Sequence, residues 1–420
     1  MNRKIKTIIS VLVSTLTVTS LLAGCGKSGG SSASSASKNQ IILWTPLTGP
    51  DGDTMTKIVA KYNKTNPKYK VKHVPIQEND MYTKLPSVVS SGKNVPDLTI
   101  VHAERIPLFV KDNMLVSYDD AIKKDGNNIK ESNYLKEGWR VGEVGGKRYG
   151  IPLDVHSYIT YYNPDLLKKY GPHVLDDGVI TMDEVKEVGE ASKKDKIAAI
   201  GVDWMRVMTL AWIKQLGGDI TSDGVKPTID TPQAEKALST MKDFVTEKIA
   251  TQDGDDPQQL FMNGKLVFWP EGIWMRNGLK DSKAPWKMTN FITFDKNKLV
   301  NWSSSHNFVM FKNPARDEAK TQGIIAFLKW MYGNSLQWAT DAGQNPASMA
   351  VQTSAEFAKE PQSFLAKEPD ALHVFNYKYY GYAAESLDKI VTDAVFGKVD
   401  VKAGLQQAQK ETEERIASGK

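Results

Sequence analysis

The chain has 420 residues, a formal charge of +5 and a single cysteine, Cys25, so an internal disulfide is excluded and stability must come from packed cores. Three cations at the very start carry most of that charge, and the remaining excess of about +2 gives no basis for binding nucleic acid or an anionic surface. The length beyond the leader, roughly 390 residues, exceeds the 250–300 at which a single core stops growing, so two domains are expected.

Arg3, Lys4 and Lys6 precede an uncharged run over 8–22. This reads as a signal peptide over 1–24, too short and too diluted with Ser and Thr for a membrane span. Leu22-Ala23-Gly24-Cys25 matches the lipobox of bacterial lipoproteins, which makes the Cys25 thiol the expected lipidation point. Residues 25–39 then form a Ser/Gly-rich tether that cannot bury enough apolar area to order itself.

The fold is expected to begin at 41–44, IILW, a short apolar run that fits a buried strand. Met55, Ile58, Val59 and Tyr62 follow at helical spacing, with Asp51 or Asp53 as cap. A second strand in YKVKHVPI leads to a helix marked by Met81, Leu85, Val88 and Val89, in which Pro86 predicts a kink or a late start. A third strand covers 98–101. This alternation indicates an α/β fold with largely parallel sheets. The same pattern recurs later. Strand-rich sequence turns helical at Asn163-Pro164, and helices are expected over 210–216, 231–248, 324–338 and 400–416. GKLVFWPEGIW and NFVMFKN read as strands. No GxGxxG follows the first strand, so a dinucleotide site is not supported.

Ligands of α/β sheets sit at the carboxyl ends of strands. That rule selects the loop of Trp44, Thr48 and Asp51, the pair Glu104-Arg105, the segment Asp154 to His156, Trp204, the loop of Glu271 and Trp274, and His306. Indole faces cover the C–H side of a sugar ring, and carboxylates and guanidinium groups take its hydroxyls. Gly272 would let backbone approach closely. Trp269 belongs to the same stretch. Each of these residues also has an ordinary structural reading, as core packing or helix opening. The six histidines are scattered without a spacing such as HExxH, so neither a metal site nor a cofactor is expected. Tyr161 and Tyr162 would point to opposite faces of a strand. Asp154 and Glu271 could flank a glycosidic bond, which leaves a secreted carbohydrate-active enzyme as a second reading. A receptor for a peptide, a polyamine or a metal is the third.

The stretches IILWTPLTGPDGDTMTKIVAKYNKTNP, SSGKNVPDLTIVHAERIPLFVKDNML, YGIPLDVHSYITYYNPDLLKKYG, LFMNGKLVFWPEGIW and AFLKWMYGNSLQWATDAGQNPAS occur in this order. Together they resemble the extracellular solute-binding proteins of carbohydrate ABC transporters, the group that includes maltose-binding protein. The resemblance implies a two-lobe periplasmic-binding-protein-like fold with interleaved lobes joined by a hinge. One lobe would take 40–153 plus 305–345, and the other 154–304 plus 346–420. It also implies a monomeric receptor, not an enzyme, that closes on a carbohydrate ligand, delivers it to permease subunits and is held outside the cell membrane by its lipid. Binding positions implied by it coincide with Trp44, Glu104, Arg105, Asp154, His156 and Trp274, and add Tyr380 as a stacking aromatic. Val101 and His156 depart from the maltose-binding pattern, where a Trp and an acid would stand.

Overall fold

The computed structural model describes residues 39–418. The described residues build two six-stranded sheets and a two-stranded hairpin. In the first sheet the order is Lys70–Pro75, Gln40–Thr45, Leu98–His102, His306–Phe311, Leu115–Val116, and Gly150–Pro152 also pairs with His306–Phe311. In the second the order is Leu372–Val374, Asn301–Ser304, His156–Tyr162, Leu266–Gly272, Ala198–Ile200, and Lys287–Thr289 also pairs with His156–Tyr162. The fold is thus α/β with two sheet-containing, interleaved lobes joined by a hinge. The chain passes between the sheets after Pro152, again between Ser304 and His306, and once more before Leu372.

The sheets are mixed, which corrects the expectation of largely parallel ones. Gln40–Thr45 pairs in parallel with both its neighbours, as βαβ units require. The strands entered by crossing run the other way. His306–Phe311 is antiparallel to Leu98–His102, and His156–Tyr162 is antiparallel to both Leu266–Gly272 and Asn301–Ser304. A strand that arrives directly from the other sheet has not been returned by a helical crossover, which is what makes successive strands parallel.

Local sequence chemistry accounts for the helix ends. Thr181 caps Met182–Ser192, with Glu184 completing the reciprocal box. Asn163 caps Pro164–Tyr170, and Thr231 caps Pro232–Thr246 with Pro232 at the first position. Gly92, at φ 64°, ends Glu78–Ser91 in the left-handed conformation that glycine permits. Pro86 neither delays nor ends that helix. The first helix, Pro50–Asn63, is preceded by Gly49 with no side-chain cap; Asp51 and Asp53 lie inside its first turn as favourable charges, and Asp51 Oδ1 accepts the Gly52 N–H at 2.8 Å.

One core lies under the helices Met205–Gln215, Pro232–Thr246, Tyr380–Val395 and Val401–Ser418, with Trp212, Leu238, Leu387 and Leu405 inside it. A second gathers Leu43, Met55, Ile58, Phe308 and Phe327 between Pro50–Asn63 and Glu318–Asn334. A smaller one, with Met81, Leu85, Phe109 and Phe311, backs the edge of the first sheet. Tyr161 joins the second core while Tyr162 packs against the first, so the two do face opposite ways. No helix among the described residues is long and apolar enough to cross a membrane.

Candidate functional site

Register brings three strand ends together at the seam between the sheets. His306 opens its strand directly opposite His102, the last residue of Leu98–His102. His156 opens the neighbouring strand of the second sheet opposite Ser304. The imidazole of His306 therefore lies 4.8 Å from that of His102 and 4.5 Å from that of His156, centroid to centroid.

Asp154 fixes this junction and is fully buried. Its Oδ1 accepts the His156 Nδ1–H at 3.1 Å and the His306 backbone N–H at 3.0 Å. Its Oδ2 accepts the His306 Nδ1–H at 2.8 Å and the Trp338 indole N–H at 2.7 Å. An ionised carboxylate only accepts, so the protons on both imidazole Nδ1 atoms follow from the geometry. Burial opposes the charge, but His306 and His156 outweigh it and hold the carboxyl far below its ordinary range. In return the His306 imidazole is raised. Burial works against its charge, and Asp154, with Asp51 and Glu104 more distant, overcomes it.

His102 is bound differently. Its Nδ1 lies 2.8 Å from the Tyr82 hydroxyl, which also accepts the His102 backbone N–H at 3.0 Å. Burial pushes this imidazole down to about 3, so it is neutral. Glu104 follows in the turn Ala103–Arg105 and accepts the Ser304 hydroxyl at 2.8 Å, a contact from the first sheet to the second. Burial opposes its ionisation, yet its own backbone N–H, the Ser304 hydroxyl and the Arg105 charge keep its carboxyl below the usual range. The Arg105 guanidinium lies over the Tyr82 ring at 4.7 Å.

Beyond His156 the seam becomes aromatic. Trp274 meets His156 edge to face at 5.6 Å, and Trp204 meets Trp274 at 6.2 Å. Trp204 is 52% exposed and holds φ +47° as it opens the helix Met205–Gln215. A bulky residue in that conformation costs energy, and such strain gathers at ligand sites. Glu271 sits behind this pair, 2% exposed. Burial, with Asp203 adding, pushes its carboxyl up to about 8, and the Gly272 N–H at 2.7 Å is its close donor. Arg206 closes the far side, bonding Tyr380 Oη at 3.0 Å and Asp388 at 2.6 Å.

The structure thus gathers Asp51, Glu104, Arg105, Asp154, His156, Trp204, Glu271, Trp274 and His306 around one seam. Trp44 is half-buried on the core behind Tyr82, and Thr48 is exposed in its loop with no hydrogen bond to the group. Tyr380 corrects the expectation of a stacking ring. It is 4% exposed, and its hydroxyl takes Arg206 and the Trp302 indole. Trp269 is fully buried against Tyr161 and Phe261, so it is core. The absent side chain of Gly272 admits the Trp274 indole, which a Cβ there would strike, rather than a ligand. Tyr82, Arg206 and Trp302 are members that strand-end reasoning does not reach, since Tyr82 and Arg206 lie on helices. His102 and Ser304 each stand two residues before a selected residue, Glu104 and His306, and nothing in the sequence singles them out. The expectation of scattered histidines is corrected: His102, His156 and His306 converge. A surface groove lined by Glu131, Tyr134, Glu137, Met349 and His373 shares no residue with this seam.

Two lobes joined at such a seam are the architecture of a binding protein. Residues 57–366 match the family described as bacterial extracellular solute-binding protein, and the chain belongs to that family. The arabinooligosaccharide-binding protein of Bacillus subtilis (strain 168) is 26% identical over 249 residues. That match covers 58% of this chain and 55% of the relative, so the chain spans about half of that relative's length. Among solved structures, the sugar-binding protein MalE of Xanthomonas citri superposes with a TM-score of 0.78 at 17% identity, covering 90% of this chain and 98% of that one. The ABC substrate-binding protein Lmo0181 of Listeria monocytogenes, solved with cycloalternan, gives 0.75 at 19% identity over 90% and 99%. At such identities these structures speak to the fold alone.

Proposed function

We propose that the chain is the carbohydrate receptor of an ABC transporter, taking an oligosaccharide at the seam and presenting it to permease subunits by hinge closure. The observation that carries this reading is the half-exposed Trp204 held in a strained conformation against Trp274, with Arg206 two residues on in the same helix and within electrostatic reach of Glu104. Indoles give a sugar ring its apolar platform, and charged groups fork onto its hydroxyls. The relative named for arabinooligosaccharide binding points the same way. Closure by bending at the crossings fits a seam whose polar contacts already link both sheets.

The lobes divide in this reading at 40–153 plus 305–345 and 154–304 plus 346–420. The receptor works as a monomer, without nucleic acid, on the outer face of the membrane. Cys25 and its tether as far as residue 38 lie outside the described residues, and their role as lipid anchor rests on the lipobox alone. No bond is made or broken. Asp154 is unsuited to be a nucleophile because four donors occupy its two oxygens.

A thermal-shift series over oligosaccharides tests the reading. A ligand that binds only the native state adds RT ln(1 + [L]/Kd), about 2.7 kcal/mol at a hundredfold excess over Kd. Stabilisation by arabinooligosaccharides or maltodextrins, with the sugar recovered intact, is the expected result. A melt moved only by peptides or amines, or new reducing ends, would overturn it.

A further inference from the structure

We propose that His102, His156 and His306 form a site for one borderline divalent cation, of the Zn²⁺, Co²⁺ or Ni²⁺ class, bridging the two sheets at the seam. One ring nitrogen of each residue lies within 4.8 Å of the others. The three come from three different strands, two in the first sheet and one in the second. They are half of the six histidines in the chain, so this is a concentration of imidazole and not a surface scatter.

The surroundings match what a histidine metal site needs. A ligating imidazole presents one nitrogen to the ion and gives its other N–H to a carboxylate, carbonyl or similar acceptor, which fixes tautomer and ring orientation. Asp154 does this for two rings at once, through the Nδ1–H of His156 and of His306. The Tyr82 oxygen is placed to do it for His102 Nδ1. Among the described residues, none hydrogen-bonds Nε2 of any of the three. These are therefore the atoms left for a cation, each releasing to solvent any proton it carries as the metal–nitrogen bond forms. Glu78 Oε1, 3.8 Å from His102 Nδ1, and Glu104 add negative charge nearby.

Imidazole donors select borderline metals rather than Mg²⁺ or Ca²⁺, which prefer oxygen. Zinc–nitrogen bonds of about 2.0–2.1 Å place tetrahedral ligand atoms roughly 3.3 Å apart, so binding requires the rings to draw in by an ångström or so. Because His156 belongs to one sheet and His102 to the other, that movement tightens the seam. Three ligands leave a position for water or for an oxygen of a bound solute. His102, with 19% of its side chain exposed, is the route in.

The inference is independent of the carbohydrate reading and is tested without sugar. The full chain, free of any histidine tag and stripped with chelator, is titrated with Co²⁺ by visible absorption and with Zn²⁺ against a chromogenic chelator. One equivalent is expected to bind. His102→Gln and His156→Gln should each weaken it on the order of 100-fold, and Asp154→Asn about 10–100-fold. His173→Gln, at an exposed position outside the group, should leave it unchanged. Thermal melts show that each variant is folded, and His102→Gln, the least buried of the three, keeps the test sound if His156→Gln fails. No stoichiometric binding, or equal binding by folded His102→Gln, would overturn the site. A sugar-binding assay in chelator separates the two readings, since each can fail alone.

Discussion

Two buried carboxylates stand on the seam and behave in opposite ways. Asp154 receives four donors, two of them imidazoles, and stays ionised with no surface exposed. Glu271 has one close backbone donor and an acidic neighbour in Asp203, and it keeps its proton up to about 8. Burial is nearly the same, so burial does not decide the charge; the count and sign of the partners does. One group is a structural anion at the crossing of the chain. The other is a neutral acid lining an aromatic wall.

The contrast is broken most severely at Asp154. Asp154→Ala leaves two imidazoles, an indole N–H and a backbone N–H without their acceptor, and a cost of about 3–5 kcal/mol is expected in chemical denaturation. Its folded pKa is depressed, so its contribution is present above the unfolded value and is lost as pH falls through the folded one. Gly272→Ala should cost about 1–3 kcal/mol by overpacking, because the new methyl strikes the Trp274 indole, and it should weaken sugar binding as well. For Glu271 the sign is the reverse of that for Asp154. Its folded pKa is raised, so native stability falls as pH rises from the unfolded value near 4.5 toward about 8. The slope is at most about 1.4 kcal/mol per pH unit, and Glu271→Gln, which keeps the acceptor for Gly272, should flatten it. An unchanged slope would show that Glu271 is ionised and erase the contrast. Smallest is Trp204→Ala, which should leave the melting temperature near that of the parent while sugar affinity drops by about 0.5–1.5 kcal/mol in titration calorimetry.

Much of this was legible in the sequence, and the gaps have physical causes. Caps at Asn163, Thr181 and Thr231 act within three or four residues, so Thr231 and Asn163 could be read directly. The strand-end rule picked Glu104, Asp154, His156, Trp274 and His306, which do meet at one seam, because those loops are placed by topology. It also drew in Trp269, which is core, and Tyr380, suggested by the resemblance instead, is covered as well, since burial depends on what another part of the chain lays over a residue. The parallel sheets were over-predicted because nothing local marks a strand that crosses between lobes. The histidine group was invisible for a similar reason. Metal spacings in sequence reflect ligands on one helix or loop, whereas these three meet through the register of His306 with His102 and of Ser304 with His156.

Ser305 alone separates Ser304 of one sheet from His306 of the other, and its hydroxyl bonds the Asp154 carbonyl at 2.6 Å. At this crossing the lobes share what is almost one continuous strand. Rotation of one lobe is then transmitted as torque through very few backbone torsions instead of being absorbed by slack. A pair of fluorophores, one on each lobe far from the seam, would sit on the long arms of a lever whose pivot is the set of crossings, the tightest of them a single serine long, and small changes at the ligand would be read out as large changes in their separation.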